Sequence, residues 1–346
     1  MKEVFSIDFY NKAEFHTLSE EWHSLEVGKE MTVFQSFLWN EMIAKHCIPE
    51  DTFFYESRYV VIRRDGKAVL IAPLFIIKHN YLWVNKKGIY FIDDRGWSDY
   101  LNCIYCQFIP DAFTYMLYQV SQKYKIFNFE FCQLKDSTSC YHYIVNNCLI
   151  EKDDEYSCVS LQLPNTIEEY TRMLSKNSRQ NIRTAKNRIE KDGLSLLYAF
   201  DDVDVDKMKC LDIRQSKMSL QYSKVSKLKK YKYRLMDKLR IQSGTCFPLI
   251  DYAKSKVMSI YIENEISAFF NYLIDKNTYS IVVIAAGTNM KYARYSPGIL
   301  LMYNYIHQLI CQDKKCRIID FTRGVEKYKF TLGGSTKNNH NIKFHS

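Results

Sequence analysis

Apolar positions along the chain alternate between two periods, and the changes of period mark out its elements. Tyr59 to Arg63 and Ala68 to Ile77 are β-branched runs joined at Asp65-Gly66. Such a dipeptide readily takes the left-handed backbone of a two-residue turn, so the stretch predicts a β-hairpin. Gly88 to Ile92 predicts a further strand, Asp93 to Asn102 a polar, aromatic loop, Ala112 to Lys123 a helix and Ile126 to Phe131 another strand. Upstream, a helix is expected near Ala13 to Leu25, and Ser36 stands where an N-cap would begin a second one running to about Lys45.

The same order returns roughly 190 residues later. Val257 to Ile262 and Ile266 to Ile274 form the second hairpin signal. The apolar run Tyr279 to Ala286 ends at Gly287, and a polar loop closes on Ser296-Pro297-Gly298. Helical spacing then extends from Ile299 to Ile310, and a short strand covers Cys316 to Phe321. The expectation is a chain of two copies of one α/β unit, residues 1–155 and 156–346, meeting at the charged stretch Glu151 to Glu155. Between them lies a helical part. Thr166-x-x-Glu169 is a capping-box pattern for a helix to about Ser175. Ser178 would cap a second helix that stops at Gly193, and Asp204 to Leu220 and a basic run around Val225 to Ile241 would form two more.

Strand, Gly-containing loop, helix and strand together present a helix N-terminus to an anion. That makes Ser296, Gly298 and Ile299 candidates for gripping phosphates through backbone N–H groups, with Arg294 close by. Asp320 lies at the end of an apolar strand, followed by Arg323, Tyr328 and Lys329. A buried carboxylate is either paired or shifted upward in pKa. Asp320 is therefore either a base or a clamp on Arg323. A phenol such as Tyr328 has the acidity to protonate a leaving thiolate. Arg179 and Arg183 share a helix face, and Lys186 continues it; the bland explanation is a solvated surface, the other an anionic partner.

Bulk properties narrow the class. The 346 residues suffice for two cores, and 47% apolar with 25% charged residues describe a folded protein. The net charge of +9 favours anionic partners without choosing among them. Eleven scattered cysteines and no export signal point to reduced thiols in a cytoplasm. The single Cys103-x-x-Cys106 pair has no second pair or spaced histidine, so no metal site is expected. No apolar run is long enough to span a membrane. The terminal KNNHNIKFHS reads as a mobile polar tail.

Several blocks together carry a resemblance. They are Ser178-Arg179-Gln180-Asn181-Ile182-Arg183 ending in Lys191-Asp192-Gly193, Tyr295-Ser296-Pro297-Gly298-Ile299-Leu300-Leu301, and Asp320-Phe321-Thr322-Arg323-Gly324 followed by Tyr328-Lys329. Phe34-Gln35-Ser36-x-x-Trp39 and Ser98-Asp99-Tyr100 add to them. The chain resembles the CelD-like acetyltransferases associated with cellulose and surface-polysaccharide biosynthesis. These are members of the GNAT superfamily, similar in architecture to the Fem peptidyltransferases. The resemblance implies an α/β fold of two tandem GNAT-like domains, each a mixed, mostly antiparallel sheet flanked by helices. It implies an acyl-CoA donor (acetyl-CoA first) and an amine or hydroxyl acceptor on a sugar, a nucleotide-linked sugar or another small molecule. By the same resemblance Lys329 would offer positive charge to a phosphate or oxyanion, and Asp99 and Tyr100 would bind the acceptor. The GNAT phosphate loop reads Gln/Arg-x-x-Gly-x-Gly/Ala; here Tyr295 and Leu300 occupy its ends, Gly298 alone is kept and Arg294 stands one place early. Two rival readings follow from that departure and from the basic helices: a Fem-like transferase that draws on aminoacyl-tRNA, and a non-catalytic binding module.

Overall fold

The computed structural model describes residues 5–80, 82–94, 96–202, 204–223, 229, 231, 232, 235, 254–312 and 315–346. It divides into two units, one built on Met1–Tyr156 with Asn338–Ser346, the other on Ser157–Tyr231 with Leu249–Lys337. The basic helix expected around Val225 to Ile241 falls almost wholly outside the described residues.

Unit 1 opens with β1 (Phe5–Tyr10), then a 3-10 turn leads into α1 (Ser19–Leu25), followed by α2 (Phe37–His46). Next come β2 (Tyr55–Arg64), β3 (Lys67–Ile77), β4 (Gly88–Phe91), α3 (Pro110–Tyr124), β5 (Asn128–Lys135), α4 (Ser139–Asn147) and the first half of β6 (Leu149–Gln162). Unit 2 holds the rest of β6, α5 (Ile167–Met173), α6 (Lys176–Lys191), β7 (Leu196–Ala199), α7 (Lys207–Ser223), β8 (Lys256–Ile262), β9 (Glu265–Asp275) and β10 (Ser280–Thr288). It continues with α8 (Pro297–Cys311), β11 (Ile318–Arg323), α9 (Lys327–Thr331) and the start of β12 (Ser335–His345), whose remainder returns to unit 1.

The unit 1 sheet runs β1-β2-β3-β4-β5-β12 and the unit 2 sheet β6-β11-β10-β9-β8-β7. Each contains one parallel pair, β4 with β5 and β10 with β11. Each copy is therefore a hairpin, a third antiparallel strand, a helix and a strand parallel to the third, as the repeat predicted. The echo reaches single residues. Gln133 (φ 63°) on β5 and Thr322 (φ 57°) on β11 are both left-handed and both sit at a register shift. A bulge of this kind bends the strand away from its neighbour.

Local chemistry explains the elements. Asp65 (φ 51°) and Gly66 (φ 79°) make the first hairpin turn, and Glu263 and Asn264 repeat it with φ of 54° and 62°. Ser36 caps α2 by accepting from the Trp39 N–H, and Thr166 and Glu169 form a complete capping box on α5. Alternate residues of β9 divide between two cores. Ala268, Phe270 and Tyr272 pack with Leu300, Leu301 and Tyr305 of α8, while Phe269 packs with Val205 and Cys210 on the α7 side.

Three expectations are corrected. The N-cap of α6 is Ser175, which accepts from the Ser178 N–H; Ser178 is inside the helix. Glu151 to Glu155 is not a connection but part of β6, a strand whose charged side chains face solvent there. The C-terminal residues are a strand rather than a loose tail. β12 pairs with β5 from Asn339↔Lys135 to His345↔Asn128, and Ile342 and Phe344 are wholly buried. Alternate apolar positions seat this segment on the sheet in spite of its polar composition.

Candidate functional site

The opening in unit 2 arises from strand register. β10 pairs with β9 out to Thr288, yet with parallel β11 over only three positions, Ser280↔Ile318 to Val282↔Asp320. A register shift between Val283 and Ala285 and the left-handed Thr322 then carry the two strands apart. Beyond Val283, whose carbonyl accepts from Thr322 Oγ1 at 3.1 Å, the β11-facing edge of β10 has no strand beside it among the described residues. Backbone N–H and C=O groups there are left for a ligand that runs along the strand.

The start of α8 borders this opening. Ser296 is left-handed (φ 48°, ψ 50°) and makes no side-chain cap, and Pro297 contributes no N–H. The Ser296 N–H is taken by Ala293 O at 3.0 Å, and the Ile299 N–H by Ser296 O at 3.0 Å. Of the three N–H groups named from the sequence, Gly298 alone has no backbone acceptor among the described residues. A Cβ built on Gly298 would lie 3.4 Å from Thr288 Oγ1 and 4.0 Å from Phe270 Cζ. The glycine thus borders the β10 edge. Arg294 points elsewhere, pairing with Asp192 and the Tyr295 hydroxyl. The Tyr295 hydroxyl and then the Arg294 guanidinium hold the Asp192 carboxyl below its usual range.

Tyr328 sits on α9 with its ring 6.0 Å from that of Phe270 and 6.1 Å from that of Phe321. Phe270 touches the space beside Gly298 as well, so one ring links the helix start to the tyrosine. Burial, with Glu326 nearby, pushes the Tyr328 phenol above its ordinary range. It therefore stays protonated at neutral pH, and its hydroxyl has no protein partner among the described residues. Asp320 is buried on β11, and its Oδ1 accepts the Thr322 N–H at 2.7 Å, which fixes the bulge. Arg323 is half-buried at the end of the same strand.

Lys329 is not a solvated or ligand-facing cation. Its ammonium is buried and donates to the carbonyls of Arg323 (2.8 Å) and Gly324 (3.0 Å), with Thr322 O at 3.4 Å and Glu326 Oε2 at 2.8 Å. Three N–H bonds facing four acceptors leave no donor for a phosphate. Arg179 is likewise structural, since its guanidinium caps α5 by donating to Thr171 O and Leu174 O. Arg183 is exposed on α6. Asp99 and Tyr100 belong to unit 1, where both are buried and Tyr100 accepts from Gln35 Nε2 through its carbonyl. Sequence reading did not single out Phe270, Thr288 or Thr322. Nothing local marks them, because register across three strands brings them to the opening. No metal-binding group of three or more side chains occurs among the described residues, and among them no helix is long and apolar enough to cross a membrane.

Comparisons with known proteins bear on the fold. Residues 254–330, from β8 to α9, match the acetyltransferase (GNAT) domain family. FemX shares the fold over 97% of both chains, with a TM-score of 0.56 at 8% identity. The C-terminal DUF2156 domain of a protein described as a lysylphosphatidylglycerol synthetase from Agrobacterium fabrum covers 97% of this chain and 92% of its own, with a TM-score of 0.54 at 9% identity. A tandem GNAT protein from the clavulanic acid biosynthesis pathway covers 99% and 98%, with a TM-score of 0.50 at 6% identity. No curated protein matches the sequence. The chain thus has a tandem GNAT-like fold, and residues 254–330 of its second unit match the acetyltransferase (GNAT) domain family.

Proposed function

We propose that unit 2 transfers an acyl group, acetyl in the first instance, from acyl-CoA to an amine or hydroxyl of a small acceptor. The amino sugar or nucleotide-linked sugar of a surface-polysaccharide pathway is the acceptor class. The observation that carries the reading is the divergence of β10 from β11 beside Tyr328, a half-buried tyrosine whose hydroxyl has no protein partner among the described residues. The thioester arm lies along the unpaired edge of β10 and the Gly298 N–H takes one phosphate oxygen. As the acceptor attacks the thioester carbonyl and the C–S bond breaks, Tyr328 gives its proton to the departing sulfur, and the proton released by the acceptor nitrogen or oxygen restores the phenol. Asp320 acts as a positioning residue that sets the bulge at Thr322. Aligning the two substrates supplies much of the remaining rate.

The test is Tyr328→Phe, assayed by thiol release from acetyl-CoA with the best acceptor of an amino-sugar panel. The ring contacts with Phe270 and Phe321 are kept, so donor affinity and folding are expected to hold. The turnover number falls by about 10²–10⁴ if a general acid is lost. An unchanged turnover number would remove Tyr328 from the chemistry. A second reading has its own observation: Arg294 and the Ser296 and Ile299 N–H groups are committed within the protein. That weakens the pyrophosphate grip and favours a donor held otherwise, such as an aminoacyl-tRNA. Retention on aminoacyl-tRNA that fades steeply with salt, without acetyl-CoA binding, would decide for it. Neither binding nor turnover with any donor would leave a non-catalytic module.

A further inference from the structure

We infer that one end of the unit 1 sheet docks on the surface of an anionic lipid bilayer. The inference rests on unit 1 alone and is independent of the transfer reaction. At this end the β3–β4 loop is closed by the Lys87 N–H donating to Asn80 Oδ1 at 2.8 Å. Leu82 and Trp83 project from it, and Trp83 is 56% exposed. Leu82 is left-handed (φ 56°), a conformation of some cost for a leucine that holds the apolar side chain out from the core. The segment before β2 lies alongside, since the Lys78 N–H donates to Phe54 O at 2.8 Å and the rings of Phe53 and His79 stack at 4.6 Å. Phe53 is 71% exposed, and Phe54 and Phe127 are exposed as well. Phe127 joins the group through its neighbour Asn128, whose Nδ2 donates to Lys87 O at 2.8 Å.

Five large apolar side chains thus emerge from one sheet end, more than isolated surface residues account for. The charges around them that lack an ion-pair partner are of one sign. Glu50, Asp51 and Glu56 at this end are each engaged, by Lys12, Arg58 and Lys78. Exposed Lys86, Lys87 and Lys125 have no carboxylate within ion-pair distance among the described residues. Tryptophan and phenylalanine beside lysine is the composition that seats a protein at the headgroup boundary, rings in the acyl edge and ammonium groups on lipid phosphates. A protein partner for this face would be expected to bring carboxylates, and would show as an association equilibrium.

The experiment uses the full chain with vesicles of phosphatidylcholine alone and of phosphatidylcholine mixed with phosphatidylglycerol. Cosedimentation with the mixed vesicles only is expected, weakening with added salt. The emission of Trp83 should shift to the blue on binding; Trp22 and Trp39 are wholly buried and Trp97 is half-buried, so the difference between the wild type and Trp83→Ser isolates the Trp83 share. Trp83→Ser removes the shift and lowers partitioning, and Lys86→Gln and Lys87→Gln each lower it roughly fivefold. All three side chains are exposed, so melting temperatures should stay put. Equal behaviour on both vesicle types without an emission shift would overturn the inference. So would a concentration-dependent dimer that Trp83→Ser dissolves, which would give the face to a second copy of the chain.

Discussion

Gly298→Ala separates folding from binding because the two effects carry opposite signs. The added Cβ would stand 3.4 Å from Thr288 Oγ1, 3.9 Å from Ala268 Cβ and 4.0 Å from Phe270 Cζ, all ordinary contacts. Gly298 is not among the glycines with positive φ, so an alanine is not strained there. Replacing glycine by alanine within a helix stabilises by roughly 0.5–1 kcal/mol. For a protein of this size that raises the melting temperature by about 1–4 °C. The same methyl group occupies the space in which the donor backbone must approach the Gly298 N–H. A methylene of misfit costs about 1–3 kcal/mol, so acetyl-CoA affinity should fall by roughly ten- to two-hundredfold. Calorimetric titration with acetyl-CoA and a thermal scan of the same preparation give both numbers. A raised melting temperature with unchanged affinity would show that Gly298 does not face the donor. A lowered melting temperature would show that the space beside Thr288 and Phe270 is not open.

Lys329→Met should destabilise by about 2–4 kcal/mol, read from the urea midpoint, because the half-buried carbonyls of Arg323 and Gly324 would lose their donor. A loss below about 0.5 kcal/mol would fit only an exposed lysine. Phe344→Ala should cost about 3–4 kcal/mol, since Phe344 is fully buried with its ring 5.3 Å from those of Phe129 and Phe131; near-zero cost would restore the picture of a loose tail. Alkaline pH should destabilise the fold. Burial raises the phenols of Tyr170, Tyr272, Tyr305 and Tyr328, and Tyr305 is pushed up to about 12. The native state thus prefers the neutral form, so their contribution is intact below the unfolded value near 10 and is lost as pH rises from there through the folded values. A urea midpoint that stays constant above that pH would contradict the burial of these hydroxyls.

Local signals were legible where a residue's chemistry acts on its own neighbours. Asp65-Gly66 set a hairpin turn, Thr166 and Glu169 a capping box and Ser36 a helix start, each within four residues. The repeat was legible for a related reason, because the order of periods records which faces must be buried. Ser175 and Ser178 show the limit. Both are serines ahead of a helical pattern, and the choice between them was made by burial of Ser178 against the core. Composition misled at the C-terminus, where Ile342 and Phe344 supply the buried apolar side chains of an otherwise polar strand.

The candidate site divides along the same line. The sequence by itself determined that a strand, a glycine-bearing loop, a helix and a strand would follow one another, with Gly298, Asp320 and Tyr328 at their ends. Tertiary structure decided which of those groups are free to act. Cationic side chains and backbone carbonyls satisfy each other when they are packed together, so Lys329 and Arg179 are taken up by nearby carbonyls, while Arg294 is held by Asp192, far away in the chain. The opening itself comes from two strands that stop pairing after three residues, a property of register between segments some forty residues apart.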